Sequence, residues 1–453
     1  MTLTDIAGRL MDGSEKEGAS QAEAFVISTK TSSVYIDDDI PKIVDAKEET
    51  GVGLKFILGN QIGFTSSTLL SESIEDVVRR AKSMARMSSA DPKFRSLPDP
   101  KKPTVPFDHF FDEQTANADS SLLIEKAMDV VKAAKSDSMS VPNGVLRASS
   151  VEFQVQNSLG VDAGSKSTMI FGFFTAKTEN ADSVGEGVQR CWSRRLQDID
   201  FPAVGEKLRN QASDVLKAKA FKENWKDAVA VLAPSEGSEM LGMLVGFCTS
   251  AENVNHRRSS WTDKVGDSIA DKSLTVVDNG LSELGLLSAA VDDEGVPMQT
   301  TSIIEKGVLK SYLFDSYNAA QVDLESTGNG LRRDSRDAQG AFTSPTRCSP
   351  TTLEIPAGTK SVDEIVSEVD RGVYVEHFAW PQVDPLSGAF SNEMRNAQLI
   401  ENGELTTKIR YSLLVGNLFE AIGRELMIGS DLEVNSNYAM PTIALNGIEI
   451  VGQ

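Results

Sequence analysis

Apolar residues recur along this chain with two different periods, and the switches between them mark out the elements. Ile6, Leu10 and Met11 fall at helix spacing before the break GSEKEG. The stretch AEAFVISTKTSSVYIDDDIPKIVDAKEETGVGLKFILGNQIGFTSS reads instead as successive strands with turns at DDD, ETG and LGN. SESIEDVVRRAKSMARMSS returns to helical spacing, and Ser73 stands as its N-cap ahead of an acidic first turn. The connector DPKFRSLPDPKKPTVPF has five prolines in 17 residues and is predicted to be irregular. Leu123, Ala127, Val130, Val131 and Ala134 predict a second helix over 119–136. VLRASSVEFQVQNSLGVDAGSKSTMIFGFFTAK then reads as a hairpin turning at NSLG, with another helix near 203–220. A strand-then-helix plan is therefore used twice, without sequence identity strong enough to call a repeat.

From Trp225 onward the texture changes. One helix is expected at 236–249, with shorter ones near 316–323 and 361–370. The rest reads as strands punctuated by Asn279-Gly280, Asn402-Gly403 and Asn446-Gly447, with Lys306-Gly307 as a weaker relative. Asn-Gly is a hairpin signal because a type I′ turn needs positive φ at both central residues. The expected fold is α+β: an N-terminal α+β domain over 1–222, then a β-rich, mostly antiparallel C-terminal domain over 223–453.

Charge narrows the function classes. Lys plus Arg number 45 against 66 for Asp plus Glu, a net charge of −21. So acidic a chain argues against nucleic acid and against anionic membranes, because both need clustered cations. No apolar run approaches the ~20 residues of a membrane span. The opening MTLTDIAGRLMDGSEKEG has no basic n-region or apolar h-region. Cys191, Cys248 and Cys348 are odd in number, far apart and in no CxxC, which fits a reducing compartment. A soluble, cytoplasmic protein is expected.

Candidate chemistry is sparse. His109, His256 and His377 share no metal-binding spacing, although Glu252 and His256 could lie on one helical face and Asp108, His109, Asp112 and Glu113 are ligand types. Both groups read more readily as surface contacts. Cys348 could in principle pair with His377, but no activated-thiol motif surrounds it. Arg332, Arg333, Arg336 and Arg347 cluster in STGNGLRRDSRDAQGAFTSPTR, either to meet a carboxylate or the backbone of a bound peptide or to neutralise Asp334 and Asp337. Asp292, Asp293 and Glu294 are consecutive, unlike the alternate carboxylates of an EF-hand loop. Followed by Gly295 and Pro297, they predict a strand-terminating turn whose carboxylates cap backbone amides.

DDEGVP (292–297), STGNG followed by Arg332, LSGAFS (386–391) and IENGE (400–404) together resemble, in this order, the signature of the TldD/PmbA family. GVGLKFILGNQIGF and VGNLFEAI also resemble it, so the likeness covers nearly the whole chain. The resemblance implies one of two branches. The TldD branch is a zinc metallopeptidase with His-Glu-x-x-x-His on the first helix of the C-terminal domain and a cysteine near the C-terminus. The PmbA (TldE) branch lacks these ligands and pairs with TldD as a heterodimer. Here the matching window reads GMLVGF, with Gly242, Met243 and Phe247 at the motif positions, and no cysteine follows Cys348. The glycines at 242 and 246, one turn apart, also read as a packing face.

This chain is therefore expected to be the ligand-free subunit. It should have no catalytic residue and no zinc of its own, zinc belonging only to a TldD-like partner. The alternative is a stand-alone homodimeric scaffold that holds unfolded peptide. In the paired state Thr327, Gly328, Asn329 and Arg332 are expected beside the peptide channel at the dimer interface, the alternative being that their loop only closes a hairpin.

Overall fold

A computed structural model describes residues 1–68, 73–334 and 338–452. The first unit is α1 (Leu3–Lys16), β1 (Gln21–Asp37), β2 (Ile40–Leu58), β3 (Gln61–Thr68) and α2 (Ile74–Met87). The second repeats that order as α3 (Ser120–Ala134), β4 (Met139–Asn157), β5 (Asp162–Glu179), β6 (Val184–Ser193) and α4 (Phe201–Lys217). The strands form one antiparallel sheet in the order β3-β2-β1-β4-β5-β6, so the two units meet along β1 and β4. Ser73 caps α2 by accepting from the Asp76 amide, as its sequence position predicts.

Both faces of this sheet are covered, which explains the nearly continuous apolar run in β1. Ala24 and Val26 face α1 and α2, whereas the alternate Phe25 and Ile27 pack against a C-terminal segment containing Leu286, Val291, Leu331 and Phe342. The Asp37–Asp39 turn forms with positive φ at Asp38 and Asp39. The turn expected at Glu49-Thr50-Gly51 does not exist. β2 runs straight through it, because its partner β1 is nearly as long and pairs residue by residue from Ile57 back to Ile43.

The remaining chain builds a mixed sheet of twelve strands among the described residues, the first of them the two-residue edge strand Lys219–Ala220. Its elements are β7 (Asn224–Leu232), α5 (Pro234–Thr249), α6 (Ala251–Asn255), β8 (Val276–Asn279), β9 (Thr300–Glu305), β10 (Val308–Leu309) and α7 (Ser316–Ala320). After these come β11 (Leu353–Glu354), α8 (Val362–Ser367), β12 (Arg371–Phe378), β13 (Ala389–Glu401), β14 (Glu404–Arg410), β15 (Ser412–Asn417), β16 (Met427–Asn435) and β17 (Tyr438–Val451). Most pairs are antiparallel, but β7 with β12, β11 with β17 and Lys219–Ala220 with β14 run parallel. The long β17 lies beside β7, and α5 packs over it.

The Asn-Gly signals divide three ways. Asn402-Gly403 and the weaker Lys306-Gly307 both close two-residue hairpins with positive φ at each position. Asn446-Gly447 instead sits at a register shift inside β17, a bulge opposite β7. Asn279-Gly280 ends β8 and opens the long excursion to β9 that carries Asp292, Asp293 and Glu294. Dipeptide chemistry reports a local bend, while the partner strand decides what that bend becomes. No helix among the described residues is long and apolar enough to cross a membrane.

Candidate functional site

The consecutive carboxylates are a turn, as their spacing predicts, but one lodged in the interior. Asp292, Asp293 and Glu294 are 0%, 0% and 2% exposed, and each serves as an acceptor for backbone. Asp292 accepts from the amides of Glu294 (3.0 Å), Val296 (2.9 Å) and Gly330 (2.9 Å). Asp293 accepts from the amides of Arg332 (2.6 Å) and Arg333 (2.9 Å), and from Arg333 Nε at 2.6 Å. Glu294 takes the Ser316 amide at 2.8 Å and the Thr346 hydroxyl at 3.0 Å. The turn thus locks the STGNGLRR segment to it.

That segment is closed in on itself. Asn329 is fully buried, donating to Asp278 Oδ2 (2.7 Å) and the Ser349 carbonyl (3.0 Å) and accepting from the Thr327 hydroxyl (2.6 Å). Gly328 is buried and turns with φ of +76°. Arg332 crosses to the N-terminal sheet, where its guanidinium lies between the rings of Phe25 and Phe64 and meets Glu23 Oε1 at 2.6 Å. Lys55 reaches the same oxygen at 3.2 Å. Arg333 lies over Phe153.

The expectation that these arginines are free for a peptide is therefore corrected for Arg332 and Arg333, whose charges are spent on Glu23 and Asp293. Arg336 and Asp337 lie outside the described residues, and Arg347 alone of the remaining arginines is exposed. The Glu23–Arg332 pair was missed because Glu23 sits inside an apolar strand and its partner is 309 residues away.

A solvent-facing cleft lies elsewhere, against α5. It measures about 770 Å³ and is lined by Glu239 and Met243 of α5, His377 and Phe378 of β12, Phe390 and Asn392 of β13, and Phe171, Phe173, Arg190 and Trp192 of β5 and β6. Trp380 at its rim is 71% exposed. Buried Glu236 fixes the end of β12 by accepting from the Phe378 amide at 2.9 Å, with His377 Nδ1 at 3.4 Å from its other oxygen.

β6 borders the cleft as the edge strand of its sheet. The Val188 amide turns outward to Gln211 Oε1 at 2.7 Å. Because orientation alternates along an antiparallel strand, the backbone groups of Arg190 and Trp192 face outward too.

Zinc does not fit the motif window on α5. Gly242, Met243 and Phe247 offer no imidazole or carboxylate, and a Cβ at 242 would stand 2.3 Å from the Tyr438 ring. A Cβ at Gly246 would come within 3.3 Å of Pro350, so both glycines serve close packing as expected. Met243 lines the cleft, while Phe247 packs on the core. Among the described residues no three His, Cys, Asp or Glu side chains converge as a metal site.

Nor is a thiol nucleophile on offer. Burial pushes Cys348 up to about 12, and its thiol donates to the Leu313 carbonyl at 2.8 Å rather than to His377. His256 and Glu252 do not present a ligand pair, since the His256 ring bonds the Glu252 carbonyl at 2.7 Å. His109 meets Glu283 at 2.9 Å, and Asp112 caps the Thr115 amide.

Comparison with known proteins supplies the lineage. Residues 226–452 match the PmbA/TldA metallopeptidase C-terminal domain, residues 22–85 its domain 1 and residues 113–216 its central domain. The chain is 27% identical over 447 residues to an uncharacterized protein of Methanocaldococcus jannaschii, covering 97% of this chain and 98% of that one. It is 24% identical over 445 residues to a metalloprotease PmbA homolog of Buchnera aphidicola, covering 96% and 93%. The crystal structure of TldE from Thermococcus kodakarensis superimposes with a TM-score of 0.88 over 99% of this chain and 100% of that one, at 22% identity. With all three domains matched in order along one α+β fold, this chain belongs to the PmbA/TldD metallopeptidase family, in its PmbA/TldE-like branch.

Proposed function

We propose that this chain is the zinc-free, peptide-holding half of a TldD-type metallopeptidase pair in the cytoplasm, divided near residue 222 into an N-terminal and a C-terminal domain. The observation that carries this reading is the α5 window. Gly242 stands where a TldD-type helix has histidine, and Tyr438 fills the space a side chain there would need. Hydrolysis by a bound metal needs about three protein ligands, and this helix is built for packing instead.

The cleft beside the same helix supports the peptide half of the reading. It pairs aromatic walls with the outward backbone of Arg190 and Trp192, and a peptide added as a strand satisfies groups common to every sequence. Thr327, Gly328, Asn329 and Arg332 then act as positioning residues that hold the two sheets in register around the cleft.

The test is to purify the chain alone and together with a TldD-like subunit, then assay zinc content and chelator-sensitive cleavage of casein. Zinc and activity are expected only with the partner. About one zinc per chain, with cleavage by the isolated protein, overturns the reading. A chain that stays a homodimer and binds unfolded peptide without joining that subunit supports the scaffold alternative.

A further inference from the structure

A second cavity, of about 350 Å³, opens between β2–β3, the proline-rich connector and the α6–α7 pair. Its floor holds Glu294 and Asp315, 2% and 3% exposed. The hydrogen bonds that fix Asp315 go to one oxygen, Oδ1, which accepts from both the amide and the side chain of Asn318 at 2.8 Å. The Ser316 hydroxyl in the lining is buried with no hydrogen-bond partner among the described residues. One wall is apolar, formed by Ile62, Phe94, Leu97 and Pro98. At the mouth, Arg347 is exposed and makes no ion pair among the described residues.

The charges packed around this floor do not balance. Buried Glu23, Asp292, Asp293, Glu294 and Asp315 are packed with Lys55, Arg332 and Arg333, with Arg194 close to Arg333. Arg332 and Lys55 both serve Glu23, and Arg333 serves Asp293. Among the described residues Glu294 and Asp315 lie beside each other with no ion pair of their own, Lys55 acting on Asp315 without pairing to it, a costly arrangement in a low-dielectric interior.

We propose that this cavity binds a free α-amino acid with an apolar side chain, its ammonium on Asp315 and Glu294 and its carboxylate on Arg347. The apolar wall accepts the side chain, and the volume lies within the range of small-molecule sites. This site does not depend on the peptidase pairing and can be probed on the isolated chain. Besides Glu294, the groups around Asp315 are Lys55 from β2, Glu252 and His256 from the α6 end, Tyr317 from α7, the buried Cys348, and Arg347. Burial and the neighbouring Glu294 hold Asp315 up to about 6. An ammonium needs it ionised, so binding tightens as pH rises from 5 to 7.

The experiment is isothermal titration with L-leucine, 4-methylpentanoate and 3-methylbutylamine, the last two lacking the ammonium and the carboxylate respectively. Saturable one-to-one binding is expected for leucine alone. Arg347→Gln, a surface change that leaves the fold intact, and Asp315→Asn should each weaken it about tenfold or more, as loss of a charged hydrogen-bond partner does. The pH dependence should disappear in Asp315→Asn. No saturable heat with millimolar leucine, or unchanged affinity in a folded Arg347→Gln variant, overturns the proposal.

Discussion

Position 242 shows how one residue can close off a chemistry. A side chain there meets the Tyr438 ring at 2.3 Å, and that ring belongs to the first residue of β17, far along the chain. Restoring a motif histidine should therefore fail twice over. Gly242→His is expected to destabilise the protein by about 1–3 kcal/mol through overpacking, measured by chemical denaturation, and to gain no zinc. Adding Tyr438→Ala should recover part of the stability. A singly substituted protein of wild-type stability would falsify the account of the packing. The charged keystone is as specific: Asp293 alone takes two consecutive amides and the guanidinium of Arg333, so its carboxylate fixes backbone and side chain at once.

At the scale of elements, β6 carries the prediction. Its outward groups at Arg190 and Trp192 make no ladder bond with β5, so proline is tolerated there as it is on edge strands. Arg190→Pro should leave the fold intact while weakening capture of unfolded peptide by about tenfold, with Arg190→Ala separating the loss of the side chain from the loss of the amide. Gln189→Pro, on the β5-bonded register, should damage the fold itself. Fluorescence anisotropy with a labelled unfolded peptide, beside circular dichroism, distinguishes the two. Equal peptide binding by Arg190→Pro and Arg190→Ala would remove strand addition at this edge from consideration.

Across the whole molecule, buried acids set the pH response. Burial pushes Asp278 and Asp315 up to about 6 and Asp292 well above the ordinary carboxylate range. A carboxyl group whose folded pKa exceeds its unfolded value favours the folded state while protonated. For Asp278 and Asp315 the stability this gives is therefore full below about 4 and lost as pH rises through about 6, up to about 3 kcal/mol each. The net charge of −21 adds self-repulsion over the same range. The melting temperature is expected to be higher at pH 5 than at pH 7.5, measured by calorimetry. Exposed capping acids such as Asp5 and Asp76, held below their usual values by hydrogen bonds to Thr2 and Ser73, act in the opposite direction below pH 4. A melting temperature that rises steadily from pH 5 to 7.5 contradicts this balance.

The sequence by itself determined what is local. Helices α2, α3 and α4 were legible from apolar spacing, α2 also from its Ser73 cap, the β1–β2, β2–β3 and β4–β5 hairpins from alternation and turns, and the loss of the metal motif from three letters at 242, 243 and 247. It also showed that Asp292, Asp293 and Glu294 form an amide-capping turn, because consecutive carboxylates before glycine suit little else. Only the tertiary structure decided that this turn is buried, that Arg332 serves Glu23 rather than a ligand, and that the cleft opens against Met243 and the edge of β6. The physical reason is separation along the chain. Caps, turns and periodicities are written within a few residues, whereas the charge partner of a buried group and the walls of a cleft come from strands hundreds of residues apart, and their energies exist only once the two sheets have packed.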